Sequence, residues 1–353
     1  MPSGKEREYR RECGQGGFRV TALPYLAINN DGRATMGLLQ NGKWVDQWYD
    51  TKESGGEFKR DTSKFRNWIT ADGSSGFPAE SGRYHLYVSL ACPWAHRTLI
   101  LRALKGLTPH IDVSAVHPLM LDNGWEFGTD YEGATGDRLY GHDYAHQLYT
   151  RAQPDASGRV TVPILWDRER ETIVSNESAE IIRMFNSAFD DLTGNTQDYY
   201  PEDLRADIDA VNARVYDDVN NGVYKTGFAT DQAVYEREVT TLFDALDWLE
   251  GILSQRRYLC GDRITEADWR LFTTLIRFDK VYVGHFKCNI RDLREYPALW
   301  GYTRELYQHP GVAETVDFDH IQTHYYASHR MVNGSGIVPV GPILDFTAPH
   351  GRG

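Results

Sequence analysis

Cysteine is scarce in this sequence, which holds four among 353 residues: Cys13, Cys92, Cys260 and Cys288. They lie far apart and form neither a CxxC pair nor the ligand spacing of a zinc site. This pattern excludes the disulfide framework of small secreted proteins and is typical of free thiols in a reducing compartment. We therefore expect the protein in the cytoplasm.

Long apolar runs and basic runs are missing as well. No stretch reaches the about 18 consecutive apolar residues of a membrane-spanning helix, and the N-terminus is charged from Lys5 onward, without the apolar segment of a secretory signal. Lys and Arg number 38 against 50 Asp and Glu, which gives a net charge of −12. An acidic chain without a basic patch is a poor partner for nucleic acid or an anionic membrane, and we expect neither.

What the sequence contains divides into four parts. The length and the 41% hydrophobic content predict about two domains, each with its own core. We expect an N-terminal extension over residues 1–82, an α/β domain over 83–190, an all-α domain over 203–330 and an extended tail over 331–353. Residues 1–35 have the composition of a weakly structured segment, Met36 is a candidate start, and Asn41-Gly42 predicts a hairpin turn.

The α/β domain is inferred from alternating extended and helical segments. Strands are predicted at 84–90, 111–119, 160–167 and 172–175, with one helix ending at Gly106 and another beginning at Glu177. The order is β-α-β, then a β-β hairpin, then α. Residues 121–158 form a polar stretch that contains Trp125 and is too long for a simple connection, which favours a functional loop.

The second domain is predicted to be a helical bundle. Residues 242, 243, 246, 249 and 253 form an apolar stripe at helical spacing. Thr265 is placed as the N-cap of a later apolar helix with Asp268 three residues on, a variant of the capping box. The last segment, "GIVPVGPILDF", is interrupted by Pro and Gly and is predicted to run extended across the surface.

The segment "SLACPWAHRTLI" places Cys92 between the first strand and the first helix. A lone cysteine is often only a small buried hydrophobe, but this arrangement resembles a thioredoxin-like fold. In that fold a cysteine at a helix N-terminus is favoured as a thiolate by free N–H groups and the helix dipole. Ala95 stands where a second cysteine would complete a dithiol, so a redox reaction here takes its second thiol from outside, and glutathione is the obvious donor.

Two further segments fit glutathione binding. Val162-Pro163 precedes the third strand, at the position of the cis-proline of glutathione-binding thioredoxin folds. Glu177 offers a carboxylate to the ligand's ammonium group, and Ser178 with the helix N-terminus offers donors to its carboxylate. Taken alone, Glu177-Ser178 is more typical of an ordinary helix start, but its order after Cys-Pro and Val-Pro favours a binding site.

From about Met36 to the C-terminus, the chain resembles the glutathionyl-hydroquinone reductases, the Xi class of the glutathione transferases. The resemblance rests on blocks in family order, among them "WYDTKESGGEFKR", "YHLYVSLACPWAHRTLI", "NGWEF", "VTVPILWD", "IVSNESAEIIRMFN", "NNGVYKTGFA", "YVGHFKCN" and "HYYASH". It implies a glutathione transferase fold, with a thioredoxin-like N-terminal domain followed by an all-α helical-bundle domain. It further implies a homodimer, and glutathione as a co-substrate with no tightly bound cofactor.

The resemblance also implies roles for individual residues. Cys92 is the nucleophile, Tyr224 is the proton donor and acceptor, and Tyr282 and Tyr325 help to keep the cysteine ionised. The positions that match glutathione-binding residues are Trp125, Arg159, Val162, Glu177 and Ser178. Because the tyrosines lie in the helical domain, the substrate pocket is expected between the domains. The implied reaction removes glutathione from a glutathionyl-hydroquinone through a Cys92–glutathione mixed disulfide and releases oxidised glutathione.

Two other functions stay open from the sequence. A conjugating glutathione transferase would activate glutathione with a hydroxyl group, and a cysteine at position 92 argues against it. A non-catalytic ligand-binding or scaffold protein of the same fold would keep the pocket but tolerate loss of the thiol. The histidine pairs His142–His146 and His324–His329 lack a third strong ligand nearby in the sequence, and we expect no metal site.

Overall fold

Nine short strands are found in the computed structural model, which describes residues 37–47, 49, 51 and 54–352. The predicted weakly structured segment 1–35, the candidate start Met36 and Cys13 lie outside the described residues. The strands are β1 (Leu38–Gln40), β2 (Lys43–Val45), β3 (Tyr84–Val88), β4 (Asp112–Ala115), β5 (Met120–Leu121), β6 (Gly124–Trp125), β7 (Gly158–Arg159), β8 (Ile164–Asp167) and β9 (Thr172–Ser175).

The central sheet has the strand order β4-β3-β8-β9. β3 and β4 are parallel, whereas the pairs β3–β8 and β8–β9 are antiparallel. All five residues of β3 are buried, as are all four of β8, as expected for the central strands of a sheet that is covered on both faces. The β-α-β then β-β-α order predicted from the sequence is confirmed.

Ten α-helices lie within the described residues. They are α1 (Pro93–Leu104), α2 (Ala145–Ala152), α3 (Ser178–Ser187), α4 (Asp190–Thr193), α5 (Arg205–Arg214), α6 (Gly222–Gly227), α7 (Gln232–Leu253), α8 (Glu266–Leu275), α9 (Pro297–Tyr307) and α10 (Phe318–Thr323). Short 3₁₀ turns occupy Glu202–Leu204, Leu293–Glu295 and Ala313–Thr315, and π-helical turns occupy Val215–Asn220, Phe278–Tyr282 and His324–Ser328. Helix α1 packs against α3 and also against α8, so it joins the sheet region to the helical region.

The stretch 121–158, predicted to be a long functional loop, contains regular structure. It contains α2, whose Ala145, Leu148 and Tyr149 are buried at helical spacing. The side-chain oxygen of Gln147 accepts hydrogen bonds from the N–H groups of Asp143 and Tyr144 and closes the start of the helix. Three apolar residues among polar ones are a weak periodic signal, which is why the helix escaped the sequence analysis.

The predicted hairpin at Asn41-Gly42 is confirmed, with β1 and β2 paired across this turn. Both turn residues have positive φ, 49° and 77°, a conformation that Asn and Gly tolerate best. β1 also pairs with β7, with Leu38 opposite Arg159. The N–H of Asn67 donates to the carbonyl of Val174, so residues well before the α/β segment run along its last strand.

The helical region follows the predicted apolar stripe. In α7, Leu242, Phe243, Leu246, Leu249 and Leu253 are all buried. The predicted capping box of α8 is also present, since the N–H of Thr265 donates to Asp268 at 2.7 Å. The same carboxylate accepts from the N–H of Leu259 and from the hydroxyl of Tyr302, which ties α8 to α9. Within the described residues, none of the helices combines the length and the apolar character that crossing a membrane requires.

The C-terminal tail has neither a helix nor a strand over residues 331–352 and is fixed at two places. Near its start, the side-chain amide of Asn333 donates to the carbonyls of Tyr326 and Ile337. Near its end, Phe346 is buried against Trp300, and the guanidinium of Arg352 reaches Glu305. Between these anchors Ile337, Val340 and Ile343 are 71%, 81% and 80% exposed, so the middle of the tail lies on the surface.

Candidate active site

Cys92 is the N-cap residue of α1. Its backbone is extended (φ −75°, ψ 121°), and Pro93 takes the first helical position, where a missing N–H group costs nothing. The thiol donates to the carbonyl oxygen of Val162 across 3.6 Å, and the Val162-Pro163 peptide bond is cis. The Cys-Pro and Val-Pro motifs, which are 70 positions apart, therefore meet at one point.

Burial raises the pKa of the Cys92 thiol and is the strongest influence on it. The N–H groups of Ala95 and Trp94 at the start of α1 act in the opposite direction, and so do the charges of Arg277 and Arg60. The helix N-terminus thus favours the thiolate, as expected from the sequence, but desolvation outweighs this effect. Other groups must favour the anion for Cys92 to react as a nucleophile at neutral pH.

A small cavity of about 70 Å³ opens at Cys92, and we call it the cysteine cavity. It is lined by residues from three parts of the chain: Tyr49, Phe58, Arg60, Cys92, Trp94, Trp125, Val160, Thr161, Val162, Tyr224, Phe228, His324, Tyr325 and His329. The lining is mostly aromatic. Among the described residues that line it, Arg60 is the one arginine or lysine. Such a pocket suits a flat ring better than a flexible polar chain.

Three tyrosines from the helical region form a hydrogen-bonded cluster beside this cavity. The hydroxyl of Tyr325 lies 2.5 Å from that of Tyr224 and 3.1 Å from that of Tyr282. Tyr224 is on α6, while Tyr282 and Tyr325 are in π-helical turns, which are often found at functional sites. Tyr224 and Tyr325 line the cavity; Tyr282, which is fully buried, lies behind Tyr325.

All three phenols are held in their protonated form. Burial raises the pKa of Tyr224 to about 12, and the nearby Cys92 adds to the effect, while Arg60 acts against it. Burial likewise places the pKa values of Tyr282 and Tyr325 well above the ordinary value. At neutral pH the cluster therefore supplies neutral O–H donors next to Cys92.

Close packing holds Tyr224 in place. On the same helix, Gly227 faces Phe286 so closely that a Cβ atom there would lie 2.2 Å from the Phe286 ring. A glycine is therefore required at this position, and it allows α6 to approach the segment that carries Tyr282.

A second cavity, of about 240 Å³, adjoins the first, and we call it the carboxylate cavity. It is lined by Tyr49, Arg60, Asp61, Thr62, Ser63, Arg66, Trp94, Arg159, Thr161, Val162, Pro163, Asn176, Glu177, Ser178 and Tyr216. Five of these residues also line the cysteine cavity: Tyr49, Arg60, Trp94, Thr161 and Val162. The two cavities therefore form one continuous site that leads from Cys92 to the start of α3.

Glu177 is the N-cap of α3, and its side chain accepts from the N–H of Ala179 at 3.1 Å. Its other carboxylate oxygen accepts from the hydroxyl of Ser63, also at 3.1 Å. Ser178 is nearly buried, and the guanidinium of Arg97 approaches its hydroxyl to 3.5 Å. The ordinary capping role and the proposed binding role are thus compatible, because a carboxylate has acceptor sites to spare.

The structure divides the predicted glutathione-binding residues between the two cavities. Val162 lines both, whereas Arg159, Glu177 and Ser178 line the carboxylate cavity. The guanidinium of Arg159 lies over the ring of Tyr49 at 4.2 Å. Trp125 lies in the cysteine cavity instead, stacked on His324 with 4.8 Å between the ring centres.

His324 and His329 line the cysteine cavity, and His285 contacts His329 from outside the lining. His324 Nδ1 lies 2.9 Å from the carbonyl oxygen of Pro118, and His285 Nε2 lies 3.3 Å from His329 Nδ1. Burial lowers the pKa of His324 to about 4 and that of His285 to about 3, so these rings are neutral at pH 7. In the described part of the chain, no group of three or more His, Cys, Asp or Glu residues is placed to hold a metal ion.

The sequence analysis missed Tyr49, Arg60, Trp94 and Thr161, which line both cavities, and Phe58, which lines the cysteine cavity. Arg60 lies 4.9 Å from the ring centre of Trp94 and 5.1 Å from that of Tyr224. Its Nε donates to Asn221 on the helical side. Tyr49, Phe58 and Arg60 belong to the "WYDTKESGGEFKR" block, which was quoted for the resemblance but given no role.

Two family models match the chain, one in the region of the central sheet and one in the helical region. The family model of the glutathione S-transferase N-terminal domain matches residues 91–188, and that of the C-terminal domain matches residues 232–305. The chain is 58% identical over 323 residues to the glutathionyl-hydroquinone reductase YqjG of Escherichia coli K12, with 90% of this chain and 98% of YqjG covered. It is 54% identical to the glutathionyl-hydroquinone reductase PcpF of Sphingobium chlorophenolicum, with 87% of this chain and 96% of PcpF covered.

Solved structures show the same relationship in three dimensions. The glutathione-bound structure of Escherichia coli YqjG superposes with a TM-score of 0.83 at 55% identity and covers 90% of this chain and 99% of YqjG. A Xi-class glutathione transferase from Natrialba magadii superposes with a TM-score of 0.85 at 49% identity, with 90% and 97% covered. Both the fold and the order of the two regions are therefore shared along nearly the whole of these proteins.

Proposed function

Since the chain belongs to the glutathionyl-hydroquinone reductases, the Xi class of the glutathione transferases, we propose that it reduces glutathionyl-hydroquinones to hydroquinones at the expense of glutathione. The observation that carries the proposal is the site of Cys92. A single cysteine at a helix N-terminus, without a second thiol at Ala95, faces an aromatic cavity and a carboxylate-bearing cavity that join.

The reaction proceeds in two steps, in each of which a thiolate attacks a sulfur atom. The Cys92 thiolate attacks the sulfur of the glutathionyl group, and the bond between this sulfur and the ring carbon breaks. The electron pair of that bond stays on the ring carbon, which takes up a proton, so hydroquinone leaves and a Cys92–glutathione disulfide remains. The thiolate of a second glutathione then attacks this disulfide, which releases oxidised glutathione and restores the Cys92 thiolate.

The two cavities suit the two halves of the substrate. The γ-glutamyl end carries an ammonium and a carboxylate, which Glu177 and the Ser178 hydroxyl with the start of α3 complement. The backbone of Val162, next to Cys92, is placed for the cysteinyl unit, and Arg159 for the tripeptide's acidic groups. The hydroquinone ring then occupies the aromatic cysteine cavity, against Trp125.

The tyrosines take the roles of acid and of thiolate support. Tyr224 lies close enough to Cys92 for the charge of Cys92 to raise the pKa of its phenol, and this neutral phenol is the proton donor for the ring carbon. The hydroxyl of Tyr325 contacts that of Tyr224, and the hydroxyl of Tyr282 contacts that of Tyr325. Tyr325 and Tyr282 therefore favour the Cys92 thiolate as neutral O–H donors of this cluster.

We also propose the broader organisation of the protein. The thioredoxin-like domain spans residues 83–190 and the all-α domain residues 203–330, in keeping with the family matches at 91–188 and 232–305. The free, buried thiols of Cys260 and Cys288 are consistent with the reducing cytoplasm. The functional unit is a homodimer with glutathione as its co-substrate and no tightly bound cofactor; sedimentation of the full chain tests the dimer.

Turnover on a panel of glutathionyl-hydroquinones tests the function. We expect hydroquinone and oxidised glutathione to form in equal amounts, and mass spectrometry of the enzyme exposed to oxidised glutathione to find one glutathionyl group on Cys92. Formation of glutathione conjugates from electrophiles, without reduction, would instead indicate a conjugating transferase. Glutathione binding with neither turnover nor a Cys92 adduct would indicate a non-catalytic binding protein.

A further inference from the structure

A buried arginine lies directly behind the turn that carries Cys92. Arg277 follows α8 and is fully buried, with 0% of its surface exposed. Its Nε donates to the carbonyl oxygen of Ala91 at 2.9 Å, and its Nη2 donates to that of Leu90 at 3.2 Å. An arginine of the helical region therefore holds the two residues immediately before Cys92.

Arg277 also holds the helix that begins after Cys92. Its Nη1 donates to the carbonyl of Thr273 at 2.8 Å and to Nδ1 of His96 at 3.0 Å. Because a guanidinium only donates, Nδ1 of His96 is the acceptor, and the Nε2–H group of His96 donates to Thr315. The N–H of His96 in turn bonds to the carbonyl of Cys92 at 3.0 Å, so Arg277 contacts both sides of the cysteine.

These contacts fix the direction of the Cys92 side chain. The peptide unit between Ala91 and Cys92 is planar, so a hydrogen bond to the Ala91 carbonyl also sets the orientation of the Cys92 N–H group and limits rotation about this unit. The imidazole of His96 sets α1 against the same guanidinium. A shift of α8 would therefore move the thiol relative to Val162.

The charge of Arg277 has no carboxylate partner within the described residues. Its four acceptors are three carbonyl oxygens and the His96 ring, which burial keeps neutral by holding its pKa well below the ordinary value. The ionisable groups whose titration Arg277 affects are Cys92, His96, Tyr224, Tyr282, His324 and Tyr325.

In this set, the tyrosines and histidines are all neutral at pH 7, so they do not compensate the cation. A buried charge without a counter-charge is costly, and formation of a nearby anion lowers that cost. The group of this set that the reaction needs as an anion is Cys92. The positive charge of Arg277 and the negative charge of the Cys92 thiolate therefore stabilise each other.

We propose that Arg277 is a positioning residue for Cys92 and a buried counter-charge of its thiolate, in addition to Arg60 in the cavity, so that the helical region sets the direction of the nucleophile and contributes to its ionisation. The proposal deepens the proposed reduction and rests on Cys92 being its nucleophile. It assigns a role to an inter-domain contact that touches neither half of the substrate.

Two substitutions separate the charge from the geometry. Arg277→Gln removes the charge, so we expect the pH profile of Cys92 alkylation by iodoacetamide to move up by about one pH unit or more, a roughly tenfold loss of rate at pH 7. Arg277→Lys keeps the charge but cannot reach all four acceptors, so the alkylation profile should stay close to that of the parent protein while kcat falls at an unchanged KM. Peptide mass spectrometry of the full chain assigns the modified cysteine.

Arg83→Gln is the matched control. Arg83 is also a buried arginine, but it pairs with the buried Asp167 and makes no contact with the turn before Cys92. The Arg83→Gln variant should have a lower free energy of unfolding but the same pH profile of Cys92 alkylation as the parent protein. An unchanged profile in folded Arg277→Gln, or an equal shift in Arg83→Gln, overturns the proposal.

If Arg277→Gln does not fold, Arg277→Lys decides the question. A Lys variant with a raised thiol pKa overturns the counter-charge role, and a Lys variant with the parent's kcat overturns the positioning role. Alkylation requires no substrate, so it reports on Arg277 even if the parent protein does not reduce glutathionyl-hydroquinones. A failure of this proposal is therefore distinct from a failure of the proposed function.

Discussion

The hydroxyl oxygens of Tyr224 and Tyr325 lie 2.5 Å apart, although the two residues are 101 positions apart in the chain. Tyr325 also contacts Tyr282, so it is the central member of the cluster. Protons can pass between hydroxyl groups joined in this way, because each O–H group both donates and accepts. The order Tyr282–Tyr325–Tyr224 therefore leads from the buried core of the helical region to the cavity at Cys92.

Tyr224→Phe should slow hydroquinone formation by at least about a hundredfold, the lower end of what a positioned proton donor contributes. Its removal should leave the pH profile of Cys92 alkylation unchanged. The measurement compares kcat for a glutathionyl-hydroquinone with the alkylation profile of the same protein sample. A Tyr224→Phe variant with the parent's kcat would contradict the role of proton donor.

Tyr325→Phe and Tyr282→Phe should do the reverse and raise the Cys92 pKa, because O–H donors favour the thiolate. The shift should be larger for Tyr325, which lines the cysteine cavity, than for Tyr282, which acts through it. Alkylation rates between pH 6 and pH 9, followed by intact mass, give both values. The division of roles is wrong if Tyr224→Phe shifts the profile as much as these two variants do.

Cys92→Ser should abolish reduction but leave glutathione binding intact, because a hydroxyl cannot form the mixed disulfide while the contacts at Val162, Glu177 and Ser178 remain. Cys260→Ser and Cys288→Ser are the matched controls and should retain turnover. Both thiols are buried, and burial raises the pKa of Cys260 to about 11 and also raises that of Cys288. Calorimetry with glutathione and a turnover assay decide between these outcomes.

Cys13→Ser should likewise retain turnover. Loss of activity in any correctly folded variant at Cys13, Cys260 or Cys288 would point to a resolving cysteine, and with it to a dithiol mechanism. Substantial turnover by Cys92→Ser would instead remove Cys92 from the reaction.

Glu177→Ala should weaken glutathione binding by about 1.5 to 3 kcal/mol, the range for a hydrogen bond to a charged group. Glu202→Ala is the control, since Glu202 is exposed and lines neither the carboxylate cavity nor the cysteine cavity. Calorimetric titration with glutathione gives both affinities. Cys92 should keep its alkylation rate, and a parallel loss of binding and alkylation would mean that Glu177 serves the fold instead.

Acid should destabilise the protein through its buried histidines. Burial lowers the pKa of His85 and of His324 to about 4, below the ordinary value of about 6.5 expected in the unfolded chain. Below pH 6.5 the unfolded state thus binds more protons than the folded state, so stability is complete above pH 6.5 and declines as the pH falls toward 4.

At pH 5.5 each such histidine should lower the free energy of unfolding by on the order of 1 kcal/mol. His85→Gln should reduce the difference between the free energies of unfolding that urea titration gives at pH 7.5 and at pH 5.5. An equal or larger pH dependence in His85→Gln would contradict the assignment.

The residues whose place in the fold the sequence predicted share one property: that place depends on their immediate neighbours in the chain. Cys92 precedes a proline at a helix start, Val162 precedes a proline at a strand start, and Glu177 caps a helix, so each is visible within a few residues. The order of strands and helices is local for the same reason, since periodicity and turn residues specify it.

The residues that escaped prediction are placed by the tertiary fold. Arg277 resembles any other arginine in the sequence, and only its burial behind Ala91 distinguishes it. Arg60 comes from a segment before the sheet and reaches Trp94 and Tyr224 because that segment runs along the domain surface. The stacking of Trp125 on His324 joins residues 199 positions apart, and no local pattern encodes such a contact.

Because the C-terminal tail is anchored on both sides of its exposed stretch, a cut in this stretch would not release the end of the chain. A protease that cuts at the exposed stretch between Ile337 and Ile343 would produce a nicked protein, in which the released peptide stays bound through Phe346 and Arg352. Arg352 contacts α9 and the end of α7 through several backbone carbonyls, so this fragment has its own noncovalent hold on the helical region. The nicked protein would then keep the mass of the intact protein under native conditions, and denaturation would separate it into two fragments.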